Sequence, residues 1–158
     1  MALVALVLVA VLGATQNENS TQKPTPGQKA SREAHSLCVA LMAWGIDHPP
    51  EGEYLELGSF PTVDFTRAER ISTSDAKAML VPNYFDKVPG PDPWGHSYQI
   101  LKNVDPKQPW SWAARSAGPD EKFCAESYLV PQPDWDRCDD IVRVDGVLVA
   151  GPEELEEK

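Results

Sequence analysis

The sequence is poor in positive charge. Fourteen Lys and Arg stand against 24 Asp and Glu, for a formal net charge of −10 and a sequence pI of about 4.6. Phosphate binding needs clustered Lys and Arg, so nucleic acid is excluded as an expected partner, and docking to anionic lipid is disfavoured. Long hydrophobic runs are also missing. The longest, Ala2 to Ala14, has 13 residues, whereas a membrane span takes about 20. Catalytic signatures are absent too: there is no Gly-x-Ser-x-Gly, His-Glu-x-x-His, phosphate loop or dinucleotide fingerprint. Cysteine is scarce, with Cys38, Cys124 and Cys138 alone, and their spacing does not suit zinc.

What is present is a chain rich in turn formers. Fifteen prolines and ten glycines point to a loop-rich fold of short elements, and 42% hydrophobic residues suffice for a packed core at 158 residues. The run 2–14 matches the apolar core of a secretory signal peptide, with the small residues Gly13 and Ala14 at its end. No Lys or Arg precedes it, so a truncated membrane anchor is the competing reading of residues 1–14. Residues 15–29 carry no large apolar side chain and include Pro24, Pro26 and Gly27; they read as a linker. A single domain is expected over 30–151, followed by an acidic, frayed tail at 152–158.

Within the domain, Ala30, Ala34, Leu37, Cys38, Leu41 and Trp44 recur at spacings of three and four, which predicts a long helix ending near Gly45. Pro49 and Pro50 forbid its continuation. Residues 51–70 give no clear pattern. Residues 72–80 open with cap-type side chains and predict a short helix. Strands are expected over 97–101 and 110–116, the second with Trp110 and Trp112 on one face. Residues 139–150 form the clearest hairpin, because Val, Ile and Leu flank Asp145-Gly146, a pair suited to a tight turn of positive φ. The fold class is therefore α+β, with one long helix on an antiparallel sheet of about four strands and a loop-rich C-terminal half.

Asp92-Pro93-Trp94-Gly95 reads as a structural turn. Pro93 fixes φ, Asp92 accepts backbone hydrogen bonds, Gly95 lets the chain reverse where a Cβ would clash, and Trp94 anchors the loop to the helix. An acidic stretch from Ser116 to Asp140 contains Asp120, Glu126, Asp134, Asp136, Asp139 and Asp140. Its bland reading is a solvated loop. Cys124 and Cys138 flank it, and export would favour their pairing; a loop of about 15 residues closed this way gains about 3 kcal/mol in the chain-entropy model. Cys38, on the apolar helix face, reads as a small buried hydrophobe. His35 lies three residues before it, but a cysteine nucleophile needs a lowered pKa and an open cleft, so no catalytic residue is assigned and the chain reads as no enzyme.

Four stretches, taken in order, carry a resemblance: the helix from about Ala30, then 80–98 with Leu-x-Pro-x-Tyr leading to Asp-Pro-Trp-Gly, then 115–122 and 139–149. Together they resemble the C-terminal domain of the G-type (major) pseudopilin of type II secretion systems. The prepilin motif Gly-Phe-Thr-Leu-Ile-Glu that heads this family is not in the sequence. The resemblance implies a pseudopilin-like fold and a structural role in protein secretion, or a soluble relative of such a subunit. It implies pseudopilins or secretion components as partners, with membrane contact only through a retained apolar run. It places the protein in the periplasm, at the inner membrane, on the cell surface or outside the cell. It also implies Ca²⁺ in the C-terminal loop, held by Ser116 through its carbonyl, Asp120, Asp139 and Asp140. The alternative is a secreted calcium-dependent binding module presenting Trp110, Trp112 and Trp135.

Overall fold

The computed structural model describes residues 23–48, 62–104, 111–129, 139–152 and 155. Helix α1 runs Pro26–Asp47. It starts four residues before the expected Ala30, inside the stretch read as linker, and the cause is a reciprocal cap. Gln28 N donates to Thr25 Oγ1 and Thr25 N donates to Gln28 Oε1, both at 3.1 Å, so two orphan donors of the first turn are satisfied. Pro26 fits the first helical position, where its missing N–H has no partner to lose. The expected apolar stripe is the buried face, with Ala30, Ala34, Leu37, Cys38 and Leu41 all at 1% exposure or less. Gly45 lies within the helix: a Cβ there would stand 3.4 Å from the indole nitrogen of Trp112.

The remaining elements are short. They are β1 (Thr62–Asp64), β2 (Glu69–Ile71), α2 (Thr73–Leu80), β3 (Gln99–Lys102), β4 (Trp112–Ser116), a 3₁₀ turn at Gly118–Asp120, β5 (Ser127–Leu129), β6 (Ile141–Val144) and β7 (Val147–Ala150). Strands β2-β3-β4-β6-β7 pair antiparallel in that order, and β1 pairs with β5 in a separate two-stranded sheet. The expected sheet of about four strands thus gains a fifth, β2, from the stretch that gave no pattern, as well as the small sheet. The hairpin forms as expected: Asp145 has φ +46° and Gly146 φ +83°. Asp145 also grips the neighbouring strand, accepting from Trp112 N through Oδ1 at 2.8 Å.

Alternate residues of the five-stranded sheet serve two cores. Ile100, Trp112 and Ala114 face α1 and α2 and pack with Leu37, Leu41 and Leu80. Leu101, Ala113, Val142 and Val144 face the small sheet and pack with Val63, Phe65 and Tyr128. Covering on both faces explains why every residue of β4 and β6 is buried. Trp112 is 1% exposed because its side of the sheet lies under α1, so it cannot belong to a tryptophan-rich binding surface. Trp110 and Trp135 lie outside the described residues, as do residues 1–22, Cys138, Asp134 and Asp136. The tail is not wholly frayed. Leu155 is 8% exposed and packs with Ala30 and Ile141, beside Trp94. Among the described residues no helix is long and apolar enough to cross a membrane.

Candidate functional site

The Asp-Pro-Trp-Gly turn and the acidic stretch form one junction at the end of β4. Asp92 is 4% exposed. Its Oδ1 accepts from Trp94 N at 3.0 Å and His96 N at 2.8 Å, and its carbonyl accepts from Gly95 N at 3.0 Å. Asp, Pro and Gly thus hold the first, second and fourth positions of a β-turn. Gly95 is required for its φ of +97°, not for space, since a Cβ there would meet nothing within 4 Å. Trp94 is half-buried, seated over Ala30, Ile141 and Leu155; it is a smaller anchor than expected.

Two contacts tie this turn to the acidic stretch, and a third braces the stretch behind them. Ser116 Oγ donates to Asp92 Oδ2 at 2.6 Å, and Gly118 N donates to Ser116 Oγ at 3.2 Å. His96 Nδ1 donates to the Gly118 carbonyl at 3.0 Å; a carbonyl can only accept, which fixes the proton on Nδ1. Gly118 has φ +65°, and a Cβ on it would fall within 2.4 Å of the Asp139 carbonyl oxygen. Only glycine lets these two backbones approach so closely.

Asp140 lies at the bottom of the junction with no exposed surface. Its Oδ2 accepts from Cys124 N at 2.8 Å and from Tyr128 Oη at 3.0 Å. Its Oδ1 is buried without a hydrogen-bond partner. Burial pushes the Asp140 carboxyl above the usual carboxylate range, opposed by these two donors and by Arg115, and the Asp120 carboxylate adds to the rise. Arg115 braces the wall. Its guanidinium lies between the rings of Phe65 (4.6 Å) and Phe123 (3.8 Å) and binds Gln99, Glu126 and the Ala125 carbonyl.

The four residues that the resemblance nominated for calcium therefore meet different fates. Asp140 fits a cation, having a buried and unpaired oxygen. Asp120 is exposed, its Oδ1 accepting from Lys122 N at 3.0 Å. Asp139 is exposed and borders Gly118 through its carbonyl. The Ser116 hydroxyl is committed to Asp92 and Gly118, so any role in binding falls to its carbonyl. Among the described residues no three His, Cys, Asp or Glu side chains converge as a metal site, and calcium takes six to eight oxygens.

Elsewhere, Cys38 is free and fully buried. Burial pushes its thiol up to about 12, the reverse of what a nucleophile needs. His35 is occupied at the Gly146 carbonyl, 2.9 Å from Nδ1. Cys124 is exposed, and Cys138, with which it was expected to pair, lies outside the described residues. Sequence reasoning did not find Tyr128, Arg115 or the tie from Asp92 to Ser116. These pairings join residues 11 to 24 positions apart in different elements, and no local spacing announces them.

Comparison with family models, curated proteins and solved structures finds no match to the chain.

Proposed function

We propose that the protein is a non-enzymatic, exported structural or interaction subunit of the pseudopilin type, or a soluble relative of one. The observation that supports this reading most is the junction itself. A long capped helix lies on an antiparallel sheet, and the Asp-Pro-Trp-Gly turn is bound to the C-terminal loop through Asp92 and Ser116. The motif's charged side chain, Asp92, is spent on architecture, holding Trp94 N, His96 N and Ser116 Oγ.

Calcium belongs to this reading as a ligand of the C-terminal loop. Asp140 Oδ1 supports it, with the Ser116 carbonyl as a further oxygen; Asp120 and Asp139 do not converge with Asp140 here, so the cation would draw them in and fasten the loop to β6. The pairing of Cys124 with Cys138 is proposed to close the same loop covalently.

Two experiments test the proposal. In cells that make the protein, tagged chain should fractionate with the periplasm, inner membrane or medium and cross-link to pilin-like subunits. Recovery from the cytoplasm with no such partner would overturn the subunit reading. For the cation, chelator-treated protein should gain melting temperature when Ca²⁺ is added, and Asp120→Ala should abolish the gain; an unchanged melt in the parent protein removes calcium.

A further inference from the structure

The large apolar side chains that are exposed among the described residues converge on one strip. They are Val39 (47% exposed), Ile46 (77%) and Val147 (52%). Val39 and Ile46 are seven residues apart on α1, which puts them on one side of the helix about two turns apart. Val147 follows Gly146 at the hairpin turn, and a Cβ on Gly146 would lie 3.6 Å from Val39 Cγ2. The hairpin turn that carries Val147 therefore lies against the Val39 side of the helix.

Charges border it with opposite signs at its two ends. Lys29 and Arg32 stand exposed near the start of α1, and Asp47 stands exposed at its end. Lys29 is held loosely, 3.8 Å from Glu33. Asp47 uses one oxygen for Tyr84 Oη, at 2.6 Å. Lys29 and Asp47 are 18 residues apart, about five full turns, so both flank the strip on the same side.

We propose that this strip is the contact face of a homodimer in which two α1 helices lie antiparallel across a two-fold axis near Val39. A two-fold axis perpendicular to the helices keeps each residue on its own side and reverses its height. Lys29 of one copy then meets Asp47 of the other, and the same pair forms again at the far end. Val39 packs near its own symmetry mate, and Ile46, seven residues beyond it, lies over the aliphatic stem of the other copy's Arg32, seven residues before Val39. The surface is self-complementary in sign, as an isologous interface requires. Parallel packing would instead keep each residue's height and reverse its side, so Lys29 and Asp47 of the two copies would never meet. The strip is small, so the dimer forms only at raised concentration, and two chains of −10 charge add long-range repulsion, which salt screens. The inference does not depend on the secretion reading.

Sedimentation velocity on the full chain at physiological salt, from low-micromolar to near-millimolar concentration, tests it. The parent should pass from monomer to dimer. Ile46→Asp, at a position too exposed to affect folding, should raise the dissociation constant at least about tenfold. Lys29→Glu should weaken the dimer, and Lys29→Glu combined with Asp47→Lys should restore it. A parent that stays monomeric throughout, an Ile46→Asp variant that dimerises as well as the parent, or a double reversal that fails to recover would each overturn the proposal.

Discussion

Ser116 Oγ donates to the buried carboxylate of Asp92 at 2.6 Å, and through it the Asp-Pro-Trp-Gly turn is fastened to the end of β4. The same carboxylate also receives two backbone N–H groups. Asp92→Ala strands all three donors in a site with almost no solvent. Leaving a buried donor unpaired costs about 1–3 kcal/mol, so the variant should lose about 3 kcal/mol or more in urea unfolding. Ser116→Ala removes one donor to Asp92 and the acceptor of Gly118 N, but it spares both backbone bonds of the turn, so it should cost less, about 2 kcal/mol. Equal losses for the two variants would mean that Asp92 does not hold the turn.

Two glycines separate conformational strain from crowding. Gly95→Ala places a Cβ in open space at φ +97°, so its cost is backbone strain, about 1–2 kcal/mol. Gly118→Ala adds to a positive φ a Cβ at 2.4 Å from the Asp139 carbonyl, which only a backbone shift can relieve. Gly118→Ala should therefore have the clearly lower melting temperature of the two. The opposite order would contradict the close approach of Gly118 and Asp139.

The two tryptophans should differ as well. Trp112 is enclosed beneath α1, with Trp44 edge-on at 6.2 Å, and Trp112→Ala should cost about 3–5 kcal/mol. Trp94 is half-buried over a small cluster, so Trp94→Ala should cost about half as much. Thermal melts of both variants decide this; a Trp94 variant as unstable as the Trp112 one would show that the turn tryptophan carries more of the core than its exposure allows.

The contrast between these tryptophans marks where the sequence was readable. Periodicity announced the buried face of α1, and Asp145-Gly146 announced the hairpin, because both signals are local and repeat at the spacing of the element. The start of α1 was hidden because Pro26 and Gly27 resemble linker composition, while the signal that mattered was the spacing of Thr25 and Gln28. Strand β2 is three residues long with an exposed edge, too short for alternation to show. Trp112 was placed on the right strand, but which side of the sheet α1 covers is a property of the tertiary fold. The polar junction was least legible: the pairs Asp92–Ser116 and Tyr128–Asp140 each form only after separate segments have docked.

Cys38 supplies a prediction in pH. Burial raises its thiol from 9.0 to about 12 in the folded chain, whereas in the unfolded chain it ionises near its ordinary value. Below pH 9 both states hold the proton, so the stabilisation from the buried neutral thiol is fully present. Between about 9 and about 12 the unfolded chain loses the proton and the folded chain keeps it, so stability falls as pH rises, by about 1 kcal/mol per unit from this group. Tyr98 and Tyr128 are also raised, chiefly by burial, and they add to the alkaline loss in any variant that retains them. Comparing the parent with Cys38→Ala cancels that shared part. At pH about 8 the parent should be the more stable, because the alanine leaves a cavity and gives up the thiol contact to the Arg143 carbonyl at 3.5 Å. That advantage should shrink steadily in urea unfolding as pH rises above about 9. Iodoacetamide should likewise leave Cys38 unmodified in the native protein and label it in urea. An advantage that stays constant from pH about 8 to about 11 would mean that Cys38 ionises as easily folded as unfolded, and its place at the centre of the helix–sheet core would be wrong.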